Sequence, residues 1–265
     1  MNLLSKKIKA ANQKKRKLVC AFLTLGYPSL SQTERLILAF ERIGVDIVEL
    51  GFPFSDPLAD GPTIQRASDF ALRHHIQLDD AFRLVKKLRK KNCQIPIVLF
   101  SYYNPVFHRG IEPVAKSLKQ SGFQGIVIPD LPPDESAQPA KVFRDHNLLQ
   151  IYLIAPTTDP KRMAWIASRS QGFIYYVSLR GVTGARKALD PELSKQVRAL
   201  KQKTKKPVLV GFGVSSESHV KQICKFADGV IVGSAIVQSL SNRRFGFQKT
   251  VRFVRSLVQA AKPLS

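Results

Sequence analysis

Two carboxylates stand where few side chains other than catalytic ones would be tolerated. Glu49 lies inside the apolar run Ile47-Val-Glu-Leu-Gly51, and Asp60 follows eleven residues later, in the loop that closes the stretch VELGFPFSDPLADGP. Strand alternation puts Ile47, Glu49 and Gly51 on one face and Val48 and Leu50 on the other. A glutamate there could be paired with a buried base, but the neighbouring strand-like runs offer no lysine or arginine in their interiors. An unpaired buried carboxylate is expensive, and desolvation raises its pKa toward neutrality, where a group can both give and take a proton. Asp56-Pro57 and Asp60-Gly61-Pro62 also read as turn formers. Two carboxyls from one strand end and its loop, reaching across one pocket, suit two-site acid/base chemistry.

A second pattern comes near the C-terminus. Val210-Gly-Phe-Gly-Val-Ser215 and Val232-Gly-Ser-Ala235 place small residues between a strand and a helix, and Gly181-Val-Thr-Gly184 supplies a third such turn. Backbone N–H groups at these points are open to an anion, and a helix N-terminus favours negative charge. The substrate is therefore expected to carry a phosphate. No lysine stands at the end of a strand to form a Schiff base. The five histidines lack ligand spacing, so no metal site is expected, and Cys20, Cys93 and Cys224 read as buried thiols of a reducing compartment.

The elements that must position these groups alternate along the chain. Strands are expected at 18–25, 46–52, 95–103, 125–129, 149–155, 173–178, 207–213 and 229–234. Helical spacing marks 31–43, 79–91, 112–120, 134–147 and 217–226, with cap signals at Ser29 or Ser31, Asp79, Asp159-Pro160 and Ser215-Ser216. Eight such units in 265 residues predict a single-domain α/β fold, a (β/α)8 TIM barrel with a short N-terminal helix. The first strand lacks the G-x-G-x-x-G turn of a doubly wound sheet. Long connections after the second and sixth strands, 53–62 and 179–190, are lid candidates on the catalytic face.

The net charge of +23 collects in 5–17, 86–91, 198–206 and 243–255. These stretches fall on separate helices without interleaved aromatics, so they read as solvated helix faces, and no nucleic-acid partner is expected. The apolar stretch 18–25 after Lys14-Lys-Arg-Lys17 imitates a signal peptide but lacks a small-residue cleavage site. No run approaches membrane-span length, and a cytoplasmic location is expected.

The stretch VELGFPFSDPLADGPTIQRAS resembles the signature of the tryptophan synthase α chain family, as do SYYNPVF, IPDLPPDE, LIAPTT, YYVSLRGVTGAR and VGFGVSS. The resemblance covers nearly the whole chain. It implies retro-aldol cleavage of indole-3-glycerol phosphate to indole and glyceraldehyde 3-phosphate. Glu49 would protonate the ring carbon and deprotonate the chain hydroxyl, while Asp60 would accept the indole N–H. Phe22, Tyr102, Tyr175 and Phe212 match the pocket, Thr183 the residue that closes loop six, and Gly184, Gly211, Gly213, Gly233 and Ser234 the phosphate cradle. The family implies an α2β2 heterotetramer in which pyridoxal phosphate belongs to the β chain and this chain holds no cofactor. The stretches 53–57 and 129–135 would meet that partner. Arg180 and Gln124 depart from the family pattern. Arg180 supports an alternative expectation, a subunit with weak or lost cleavage that mainly activates the β chain.

Overall fold

The computed structural model describes residues 2–178, 191–211, 213–241 and 246–262. The strands are β1 (Leu18–Thr24), β2 (Ile47–Gly51), β3 (Ile97–Phe100), β4 (Gly125–Val127), β5 (Leu149–Ile151), β6 (Leu153–Ile154), β7 (Ile174–Val177), β8 (Val208–Gly211) and β9 (Gly229–Val232). They run parallel in the order β5-β4-β3-β2-β1-β9-β8-β7-β6. Only Tyr152 separates β5 from β6, so the two sheet ends belong to one stretch of chain and the sheet closes as a TIM barrel. Around it lie α1 (Leu3–Gln13), α2 (Leu30–Ile43), α3 (Pro62–Arg73), α4 (Leu78–Lys90), α5 (Tyr103–Arg109) and α6 (Ile111–Ser121). The second half adds α7 (Ala137–Asp145), α8 (Pro160–Arg169), α9 (Pro191–Gln202), α10 (Glu217–Ile223), α11 (Ser234–Leu240) and α12 (Gly246–Ala260).

Each of the eight expected strands contains observed strand, and the departures have local causes. The run 95–103 shortens to Ile97–Phe100 because Pro96 has no N–H to donate and Tyr103 already opens α5. The Tyr103 N–H is taken by the Asp130 carboxylate at 2.9 Å. The helix expected over 134–147 starts only at Ala137, since turns closed by Pro132 and Pro133 carbonyls precede it. Ser29, Asp159 and Ser216 cap α2, α8 and α10 as expected. The cap of α4 is instead Gln77, whose N–H bonds Asp80 at 2.8 Å, so Asp79 sits inside the helix.

The core divides by strand alternation into two layers. Val48 and Leu50 join Val19, Ala21, Leu23 and Leu99 in packing outward on the helices. Cys20, Phe22, Ile47, Phe100, Tyr175 and Leu209 fill the barrel interior. Leu4, Ile8 and Ala11 of α1 belong to this inner layer and stopper the end where the strands begin.

That lower end is held by one device repeated on alternate strands. Asp46, just before β2, accepts the Val19 N–H at 2.9 Å; Gln124, just before β4, accepts that of Ile97 at 2.8 Å; Asp228, just before β9, accepts that of Val208 at 3.0 Å. The Ser170 hydroxyl takes the Tyr152 N–H at 3.0 Å. A backbone bond runs back in three of the four cases, from Asp46, Gln124 and Asp228 to the carbonyls of Val19, Ile97 and Val208. Gln124 thus replaces a carboxylate in a structural role at the end opposite the candidate site. It also accepts from Arg89 at 3.1 Å, and burial lowers the Arg89 pKa.

Candidate active site

β2 carries Glu49 to the inner face near its upper end, opposite Phe22 on β1 and Val98 on β3. The residue is 1% exposed, and among the described residues neither carboxylate oxygen has a hydrogen-bond partner. Desolvation, followed by the charge of Asp60, raises its pKa to about 8. The chain then leaves the barrel, and the Asp60 N–H turns back onto the Pro57 carbonyl at 2.9 Å. Gly61 caps α3 and Pro62 begins it, so a fixed φ stands two residues after the aspartate.

Among the described residues Asp60 has one direct side-chain partner, the Tyr102 hydroxyl, which donates to Oδ2 at 3.2 Å. The same hydroxyl accepts the Ala59 N–H at 2.9 Å, which ties the loop to the end of β3. Gln65 holds the Asp60 carbonyl at 2.8 Å from the first turn of α3. Burial raises the Asp60 pKa to about 6 against the lowering effect of the Tyr102 bond. The two carboxyls are therefore in different states near pH 7, Glu49 protonated and Asp60 ionised. Environments that separate two pKa values in this way mark an acid and its complementary anion.

The walls are aromatic. Phe22 meets the Phe100 ring edge to face with centroids 5.7 Å apart, and Tyr102 stacks on Phe54 at 5.2 Å. Gly51 permits the Phe22 ring to lie where a Cβ would be, and Gly211 does the same for Tyr175, whose ring atoms lie 2.6–2.9 Å from that position. Tyr175 is buried in the electrostatic reach of both Glu49 and Asp60, and burial pushes its hydroxyl pKa well up.

Gly213 has φ +78°, and none of the described residues lies within 4 Å of where a Cβ would be. Gly233 caps α11, which Ser234 begins. The barrel thus brings Glu49, Asp60, Phe22, Tyr102, Tyr175, Gly211, Gly213, Gly233 and Ser234 to its upper end. Thr183, Gly184 and Phe212 lie outside the described residues, as does Arg180.

Sequence reasoning missed Phe100, Phe54 and Gln65. Alternation along β3 from Val98 would have turned Phe100 inward. Nothing in the sequence signals that Phe54 stacks on Tyr102 or that Gln65 restrains the Asp60 backbone. Among the described residues no group of His, Cys, Asp and Glu could hold a metal ion, and no helix is long and apolar enough to cross a membrane.

A family model described as tryptophan synthase alpha chain matches residues 8–263. The chain belongs to the tryptophan synthase alpha chain family. A tryptophan synthase alpha chain from Geobacter sulfurreducens is 42% identical over 247 residues, spanning 93% of this chain and 92% of the relative. One from Legionella pneumophila is 38% identical over 240 residues, covering 91% and 88%. The crystal structure of tryptophan synthase subunit alpha from Legionella pneumophila superposes with a TM-score of 0.91 at 35% identity, covering 98% of each chain. A chain of tryptophan synthase from M. tuberculosis, in its aminoacrylate-bound form, gives 0.89 at 32% identity, covering 99% of this chain and all of that one. As a member of the tryptophan synthase alpha chain family, the protein is a TIM-barrel enzyme of tryptophan biosynthesis.

Proposed function

We propose that this chain cleaves indole-3-glycerol phosphate into indole and glyceraldehyde 3-phosphate, with Glu49 and Asp60 as its catalytic residues. The observation that carries this reading is Glu49 itself, a buried carboxyl with no partner for either oxygen and a pKa of about 8. Such a group is protonated at neutral pH and gives up its proton readily once a basic carbon is presented. Protonation of the indole carbon that bears the glycerol chain makes the ring an electron sink. Asp60, ionised above about pH 6, accepts the ring N–H and stabilises the positive charge that develops there.

The Glu49 carboxylate then removes the proton of the adjacent chain hydroxyl. As that C–O becomes a carbonyl, the carbon–carbon bond breaks and its electron pair returns to the ring as neutral indole. Glu49 ends the cycle protonated, having given one proton and taken one. Phe22, Tyr102 and Tyr175 form the apolar slot for the ring; the roles given to Phe212 and Thr183 rest on the family resemblance alone. Gly211, Gly213, Gly233 and Ser234 offer backbone N–H groups to the phosphate, and Gly184 joins them by the family resemblance alone.

Indole then passes to a β chain within an α2β2 assembly, where pyridoxal phosphate supplies the chemistry that joins it to serine. Two exposed apolar side chains, Leu58 on the Asp60 loop and Phe107 on α5, support docking at this end. Asp130 ties the stretch 129–135 to α5, so a partner pressed on either would also feel the Asp60 loop through Tyr102. The reading as an activator alone is not favoured, because it would leave a buried, unpartnered carboxyl without a use. Indole release from indole-3-glycerol phosphate, measured with and without the β partner, tests the proposal. Slow release that rises with the partner and vanishes in Glu49→Gln is expected; undiminished release by that variant would overturn it.

A further inference from the structure

Two of the four basic stretches, far apart in sequence, meet at the lower end of the barrel. The turn after α1 and the turn after α9 face each other across a cavity of about 370 Å³. Lys15, Arg16 and Lys17 line one side, and Lys201, Lys205 and Lys206 the other. Asp228 is the one carboxylate in the lining, and Asn12 and Thr204 add neutral polar groups.

The fold accounts for some of these cations. Arg16 is committed to Asp46 through two bonds of 2.8 and 2.5 Å. Lys206 spends its three protons on the carbonyls of Ala167, Ser168 and Ser170, at the negative end of α8. Lys17 gives one proton to the Ala227 carbonyl, and Lys201 one to Asp228. Among the described residues each of these last two ammoniums keeps two donors free. Lys15 and Lys205 are exposed and neither ammonium has an acceptor among the described residues, so ion pairing does not explain them.

We propose that this cavity binds a small oligophosphate, three or more linked phosphate groups, at a site remote from the candidate active site. Six cations face Asp228 and the Asp46 carboxylate behind Arg16, an excess of four positive charges. A single phosphate group brings only about two negative charges at neutral pH. A chain of several matches both the excess and the two-sided arrangement, in which Lys15 and Lys205 close on it from opposite turns. The volume lies at the lower end of the range of about 300–1,000 Å³ for small-molecule sites. The inference does not rest on the proposed lyase activity.

Titration calorimetry of the full chain at physiological ionic strength, with inorganic triphosphate as the probe, tests it. One triphosphate per chain is expected, with orthophosphate binding more weakly. The double variant Lys15→Gln, Lys205→Gln should lose affinity by about tenfold or more, the scale of two charge-assisted bonds. Lys86→Gln, Lys90→Gln, an equally basic exposed pair on α4, should lose none. Equal losses in the two variants, several equivalents bound, or no triphosphate heat would overturn the site. So would tighter binding of a single-stranded RNA that triphosphate fails to displace, since that would assign the charge to a diffuse surface. Because neither lysine of the first pair holds a fold contact, an unchanged unfolding midpoint separates lost binding from lost structure.

Discussion

Replacing Glu49 by glutamine should change how stability depends on pH. The folded carboxyl has its pKa raised from 4.5 to about 8. The folded state therefore holds a proton that the unfolded chain has already released over the interval between those values. Stability is fully retained below about pH 4.5, falls as pH rises, and levels off once the folded group also ionises above about pH 8. At about 1.36 kcal/mol per unit, the full fall is roughly 5 kcal/mol. Asp60 titrates first and contributes part of the shift on Glu49, so the two protons leave a coupled pair. Glutamine keeps the shape and cannot ionise, so Glu49→Gln should lack this slope. Urea midpoints of both proteins at half-unit steps from pH 5 to 9 provide the assay. The difference between them should move steadily in the variant's favour up to about pH 8 and then stay constant. A difference that is flat over the whole range would mean that Glu49 is hydrated or paired in solution, and the argument for it as the acid would fail.

The same two pKa values predict a bell-shaped kcat/KM for indole release, rising as Asp60 ionises near pH 6 and falling as Glu49 loses its proton near pH 8. Tyr102→Phe removes the bond that lowers the Asp60 pKa, so the acid limb should move to higher pH, by up to about one unit for a bond of roughly 1 kcal/mol. Gln124→Ala should destabilise the chain by about 1–3 kcal/mol, by leaving the Ile97 N–H and part of Arg89 unsatisfied, with kcat/KM unchanged; a thermal melt beside the indole assay checks both halves.

Much of this could be read from the sequence because both parts of the fold follow short-range rules. The apolar runs and helical spacings fix eight βα units, and strand alternation alone turns Glu49 inward and Val48 outward. What alternation cannot supply is the vertical dimension. Gln124 departs from the family pattern as visibly as Arg180 does, yet it lies at the bottom of the barrel and bonds a neighbouring strand. The meeting of the Lys15 and Lys205 turns was hidden for the same reason. The sequence places them in separate basic stretches, and only the pairing of β1 with β9 and of β9 with β8 brings the start of β1 near the start of β8.

The contrast between Asp46 and Glu49 shows how physical chemistry separates the two kinds of buried carboxyl three residues apart. Asp46 is fully buried and satisfied: it accepts two bonds from Arg16 and one from the Val19 N–H, with Lys7 a further 3.5 Å away. Removing a partner from such a cluster exposes the full desolvation penalty, so the cluster acts as a rivet between α1, β1 and β2. Glu49 is buried almost as fully, and its carboxylate has no hydrogen-bond partner among the described residues. Stability alone would favour an apolar residue in its place. The chain therefore secures the lower end of the strand with a satisfied carboxylate and keeps, within the strand, an unsatisfied one whose cost the proposed proton transfer would explain.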